Sequence, residues 1–264
     1  MCLIIFAYQS HPDYRLVLAA NRDEFYDRPT RHLAYWDDTP EILAGRDLKA
    51  GGTWMGVTRT GRIAAITNYR EAGSIRENAP SRGDLVKGFL MSGSKPCDYL
   101  KAVRGKGQAY NGFNLIIGDA KGLYYYSNHG ESIQTIEPGI HGLSNHLLNT
   151  PWPKVIQGTS RLLSLIDRKE AFSHENIFQI LSDRSIPSDD DLPDTGVGLE
   201  WERVLSPLFI TSDIYGTRCA SILLWKHTGE VTFLERTFGR QGGVKQGMTT
   251  QSYTFIASEQ SHKQ

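Results

Sequence analysis

Cys2, directly behind the initiator methionine, is the residue of this chain best placed to do chemistry. Removal of Met1 would leave it carrying both a thiol and a free α-amine. An α-amine titrates near ~7.7–8.0, against about 10.4 for a lysine, so it can accept a proton at neutral pH and act as base beside its own nucleophile. The competing reading is a small residue that merely opens a strand. The residues that must surround Cys2 separate the two.

Two short apolar runs, 2–7 and 16–20, flank the turn-forming Gln9-Ser10-His11-Pro12-Asp13 and read as a β-hairpin. A fold-back centred near His11 and Pro12 sets Cys2 opposite about Asn21 and brings Asn21-Arg22-Asp23-Glu24 beside the thiol. In that cluster Arg22 is a cation able to favour the thiolate, and Asp23 a carboxylate able to hold the α-amine. The plainer alternatives are a surface Arg22–Glu24 pair and an Asp23 that caps a backbone amide.

A thiolate attacking an amide needs donors aimed at the oxyanion, and asparagine suits this because it donates without titrating. One such donor is worth roughly 3 to 4 kcal/mol of barrier. Asn145, in Gly142-Leu143-Ser144-Asn145, is the first candidate, and Asn68, at the exit of a second hairpin, is the next. Both also read as turn residues. Trp36, Trp54, Tyr69 and Trp152 either line a pocket or fill the core. Cys97 and Cys219 read as buried small hydrophobes.

The chain has 264 residues, 39% of them apolar and 22% charged, enough for a sizeable core, and the expectation is one domain over 1–264. Lysine plus arginine equals aspartate plus glutamate at 29 each, so no overall field draws nucleic acid. Three cysteines without metal-ligand spacing fit a reducing compartment, so a cytoplasmic protein with no metal site is expected. No stretch approaches the ~20 apolar residues of a membrane span, and the first residues lack a basic leader, so no integral membrane association is expected.

Further along, 27–40 reads as a loop. Gly51-Gly52 opens a hairpin of strands 53–58 and 62–67, and helices are expected over 83–91 (capped by Ser81) and from Pro96 to about 103. Strands follow at 113–118, 122–127 and 132–136, helices at 152–166 and 174–181, a polar loop over 183–200 that could form a lid, and a hairpin of 220–225 with 231–234. Hairpins with helices segregated between them predict an α+β fold of two mainly antiparallel sheets stacked between helical layers.

Taken together, Cys2, Asn21-Arg22-Asp23-Glu24, Gly51-Gly52-Thr53-Trp54 and Gly142-Leu143-Ser144-Asn145 resemble the NRDE family, also called the Transport and Golgi organisation protein 2 family. The resemblance runs from Met1 through Tyr215-Gly216-Thr217-Arg218-Cys219 to about Phe233. That family resembles a branch of the N-terminal nucleophile hydrolases, which implies an αββα sandwich. More remotely, the motifs are similar to those of the cholylglycine hydrolase and penicillin V acylase group.

The resemblance implies Cys2 as nucleophile, Asp23 as the carboxylate that orients it, Asn145 as side-chain oxyanion donor, Asn68 as an oxyanion or substrate residue, and Arg218 as the arginine near the nucleophile. Asn21, Arg22, Trp54, Tyr69 and His146 are the accompanying expectations for substrate contact. One departure is that the acylases carry an arginine two positions before the asparagine aligned with Asn21, where this chain has Ala19. Hydrolysis of a non-peptide amide in a small-molecule substrate, with no cofactor, is the first function implied. Members of the family are linked to haem trafficking, so a haem carrier on the same fold is the alternative.

Overall fold

The computed structural model describes residues 2–168, 172–241 and 244–258. Its first hairpin pairs β1 (Cys2–Tyr8) with β2 (Tyr14–Phe25). β1 and the 16–20 part of β2 are apolar throughout because both faces are covered there. Leu3, Ile5, Ala7, Val17 and Ala19 pack against helices, while Ile4, Phe6, Tyr8, Leu16 and Leu18 point at a second sheet.

β3 (Thr30–Trp36), β4 (Thr39–Asp47), β5 (Met55–Thr58) and β6 (Ile63–Asn68) lead into helices α1 (Gly83–Met91) and α2 (Pro96–Lys106). Next come β7 (Phe113–Gly118), β8 (Leu123–Ser127), β9 (Gln134–Thr135) and β10 (Gly139–Leu143). Helices α3 (Pro153–Asp167), α4 (His174–Leu181) and α5 (Leu199–Leu205) follow, then β11 (Tyr215–Lys226), β12 (Glu230–Gln241) and β13 (Val244–Ile256).

One antiparallel sheet has the order β10-β1-β2-β11-β12-β13, and the other runs β3 to β9 in chain order. Between them lies a core that includes Phe6, Leu18, Leu43, Val57, Ile116, Tyr125 and Phe233. Helices α3 and α4 cover the outer face of the first sheet through Leu162, Leu165, Ile177 and Phe178. On the second sheet, α1 and α2 do the same through Val86, Phe89, Leu100 and Val103. The order of layers is therefore helix, sheet, sheet, helix, as expected. Among the described residues no helix is long and apolar enough to cross a membrane.

Three sequence expectations are corrected. The loop expected over 27–40 contains β3 and the start of β4. β3 is an edge strand with exposed Arg31 and His32, so it lacks the buried apolar pattern of a central strand. The expected loop over 183–200 ends in the first turn of α5. Finally, the C-terminal hairpin runs on into β13, whose exposed Thr250, Ser252 and Thr254 mark a solvent face.

Candidate active site

The position of Cys2 follows from the first turn. Tyr8 pairs with Leu16, so the fold-back is centred on Pro12, and Cys2 lies opposite Arg22, one residue beyond the expected Asn21. Because side chains alternate faces, that single step matters. Cys2 and Arg22 share the face that looks at the second sheet, whereas Asn21 turns with Leu3 toward the helices. There its side-chain amide donates to the carbonyls of Leu181 and Leu208, both at 2.8 Å.

On the other side of β2, β11 pairs Gly216 with Glu24, Thr217 with Asp23 and Cys219 with Arg22, leaving Arg218 as the extra residue of a bulge. Cys2, Arg22 and Cys219 thus form one row across three strands, and Asp23 sits one position further along.

Cys2 opens on a cavity of about 500 Å³, whose walls include Arg22, Asp23, Glu24, Trp54, Asn68 and Arg82. The glycines ahead of Trp54 shape one wall. Gly51 has φ +75, and a Cβ on Gly52 would stand 2.7 Å from the Gly83 carbonyl carbon. Only glycine lets the turn before β5 close onto the start of α1. Arg22 lies over the Trp54 ring, 4.2 Å from its centroid, donates to Thr30 Oγ1 at 3.2 Å and approaches Glu24 at 3.8 Å.

Half-buried, the Cys2 thiol is pushed above its ordinary pKa by burial and by the neighbouring Asp23 charge. The Asp23 main-chain N–H, which donates to the sulfur, and the charge of Arg22 oppose the shift. Burial likewise raises the Asp23 carboxyl, against the influence of Lys154, the Thr217 hydroxyl and Arg22. Thr217 Oγ1 donates to Asp23 Oδ1 at 2.6 Å, and the Tyr215 hydroxyl donates to the Asp23 carbonyl at 2.9 Å.

Lys154, in the first turn of α3, is 3% exposed, and its ammonium has no hydrogen-bond partner among the described residues. Desolvation, set against the attraction of Asp23, lowers its pKa to about 8. Neither Lys154 nor Arg82 was legible in the sequence as a site residue. Nothing in their local sequence marks them, because each is buried by elements distant in the chain.

The other expected site residues divide. Asn68 lines the cavity, and its carbonyl accepts the side-chain amide of Asn145 at 2.9 Å. Asn145 itself is fully buried behind Asn68. Arg218 stands at a separate cavity of about 180 Å³, shared with Arg22, Trp54 and the buried Glu235, and donates to the carbonyls of Phe25 and Arg28. Tyr69 stacks on His129 with centroids 4.1 Å apart, and His146 bonds Thr150 at 2.8 Å beside Trp152. Neither Tyr69 nor His146 reaches the Cys2 cavity wall. Among the described residues no group of three or more His, Cys, Asp and Glu side chains could hold a metal ion.

Two antiparallel sheets between helical layers, with Cys2 at the start of the first strand, define the N-terminal nucleophile hydrolase-like class of fold. The chain belongs to the Transport and Golgi organisation 2 family, whose model matches residues 1–240. It is 38% identical over 257 residues to the mouse Transport and Golgi organization 2 homolog, covering 90% of this chain and 93% of that protein. The human homolog matches at the same identity and coverage. Among solved structures, a Cys-to-Ala variant of conjugated bile acid hydrolase from Clostridium perfringens superposes with a TM-score of 0.50 over 98% of both chains, at 8% identity. That likeness is one of fold.

Proposed function

We propose that this chain, once Met1 is removed, is an N-terminal cysteine amidohydrolase acting on a non-peptide amide. The observation that carries the reading is the Cys2 thiol opening on a cavity of about 500 Å³ with Asp23 beside it, the Asp23 amide N–H on its sulfur and two cations, Arg22 and Arg82, in the same wall.

In this mechanism the α-amine of Cys2 takes the thiol proton and the thiolate forms a bond to the amide carbon. The tetrahedral oxyanion takes the Asn68 side-chain amide, while Asn145 holds the Asn68 backbone in place. Collapse breaks the C–N bond, and the departing amine takes the proton from the α-ammonium. Water then cleaves the thioester with the same α-amine as base, returning the thiol and releasing the acid. Asp23 fixes the ammonium through a charge-assisted contact, and Thr217 keeps the carboxylate oriented. The neighbour of the same fold is, by its name, a hydrolase of conjugated bile acid, and a hydrolase on this fold agrees with the reading.

The test is N-terminal mass spectrometry of the purified protein followed by exposure to a β-lactam or an activated amide. Loss of Met1 and an acyl adduct on Cys2, absent in Cys2→Ala, support the reading. A retained methionine or an unmodified Cys2 sinks it. Haem carriage, the other expectation, would have to draw its axial ligand from Cys2, since no histidine, methionine or tyrosine lines this cavity among the described residues. A Soret shift on haem addition that disappears in Cys2→Ser, with no adduct formed by amides, would favour it.

A further inference from the structure

The charges lining the Cys2 cavity do not cancel. Arg28 is committed to Asp47, at 2.6 Å, and also meets Glu24 at 3.8 Å. Arg22 shares Glu24 at the same distance. Asp23 is turned to Thr217, with Lys154 as a nearby cation. Glu77, at the rim, is exposed.

That leaves Arg82. Its guanidinium donates from Nη1 to the Gly112 carbonyl at 3.0 Å, and it has no carboxylate at ion-pair distance among the described residues. Arg76, exposed at the same cavity, donates from its guanidinium to the carbonyls of Gln108 and Tyr110 and has no carboxylate at ion-pair distance among the described residues. A half-buried guanidinium with Glu24 as an attracting charge but no carboxylate at contact distance is costly, and part of that cost is recovered when a ligand supplies the anion. The fork geometry suits a carboxylate or phosphate group.

We propose that this cavity takes a substrate bearing an anionic group, which Arg82 binds, with Arg76 adding positive field, while the scissile carbonyl rests on Cys2. The placement of the carbonyl rests on the amidohydrolase reading; the anion site does not. Arg82 thereby selects among amides by charge.

Two alkylating reagents that differ in charge read this directly. Iodoacetate and iodoacetamide both form an S–C bond to the Cys2 thiolate and release iodide, so the ratio of their rates cancels the thiolate fraction and reports the local field. Rates are followed at the Cys2 peptide by mass spectrometry and normalised to N-acetylcysteine in the same buffer. In the full chain the normalised ratio should exceed one by roughly tenfold at low salt and fall as salt is added.

Arg82→Gln should bring the ratio near one, and Arg82→Lys should restore part of it. If both rates drop together in Arg82→Gln with the ratio unchanged, Arg82 serves the thiolate alone and the proposal is overturned. It is overturned equally if the unaltered protein shows no preference for iodoacetate, an outcome that needs no variant to fold. Matched amides then identify the anion: an N-acyl glycine, its neutral methyl amide and an N-acyl phosphoethanolamine. Preference for the first assigns a carboxylate, and for the third a phosphate. Equal turnover of all three overturns charge selection. Absence of any turnover beside a salt-sensitive alkylation ratio retains the anion site and removes the hydrolase reading.

Discussion

The hydroxyl of Ser144 donates to the Cys2 carbonyl at 3.2 Å, linking the backbone of Cys2 to the loop after β10. The linkage continues across the sandwich. The Tyr125 hydroxyl donates to Asn114 Oδ1 at 2.8 Å, the Asn114 amide donates to Thr67 Oγ1 at 3.1 Å, and Thr67 Oγ1 donates to the Ser144 carbonyl at 2.6 Å. Asn114, Thr67 and Ser144 are all essentially inaccessible to water, so the network fixes the distance between the two sheets where Cys2 opens on the cavity.

Breaking that network should loosen Cys2 without touching any group in the cavity. Thr67→Val removes both a donor and an acceptor, and the expected cost is about 1–3 kcal/mol in chemical unfolding because buried partners are left unsatisfied. Cys2 acylation should slow with little change in apparent substrate affinity. A variant that loses stability but keeps the acylation rate would show that the network serves the fold alone.

The buried Arg70–Glu202 pair makes a second link. Glu202 also accepts from Thr195, both at its amide N–H and at its hydroxyl, and the Arg70 amide donates to the Asn145 carbonyl at 2.7 Å. The segment before α5 is thereby tied to the residue behind Asn68. Glu202→Gln leaves a buried guanidinium without its charge partner, so a loss of about 3–5 kcal/mol is expected in denaturant titration. Proteolysis should then cut first within 183–198, the segment that Glu202 holds down.

What the sequence made legible was local. β1, β2, α3 and α4 carry apolar residues on the faces they bury, and the two-strand geometry sufficed to bring Arg22 and Asp23 to Cys2. A turn centre misplaced by half a residue was enough to put Asn21 on the wrong face. The polar strands β3 and β13 escaped because each presents many residues to solvent, where periodicity fades. Arg82 and Lys154 escaped for another reason. A lysine in a helix's first turn and an arginine just before a helix read as surface residues until distant elements bury them.

Lys154 gives a pH signature. Its folded-state pKa of about 8 lies below the ordinary 10.5, so between those values the unfolded chain binds more protons than the native one and stability rises with pH. Below pH 8 both states carry the proton, and the native state bears the full cost of burying it. The unaltered protein should therefore gain stability from pH 7.5 to 9.5 relative to Lys154→Met, measured as the difference in unfolding midpoint. A parallel pair of pH curves would mean that the ammonium is not desolvated.

Gly52 tests the cavity wall itself. A Cβ there would meet the Gly83 carbonyl carbon at 2.7 Å and its oxygen at 2.8 Å, both backbone atoms that cannot swing aside. Gly52→Ala must push the start of α1 away from the turn before β5, at an expected cost of about 1–3 kcal/mol. Arg82 immediately precedes α1, so the displacement should also move its guanidinium relative to Cys2. The expected result is a folded protein whose iodoacetate preference at Cys2 is reduced while its iodoacetamide rate is nearly kept. Because Gly52 carries no charge, that outcome would separate the placement of Arg82 from its chemistry. An unchanged preference would mean that α1 is not what positions the arginine.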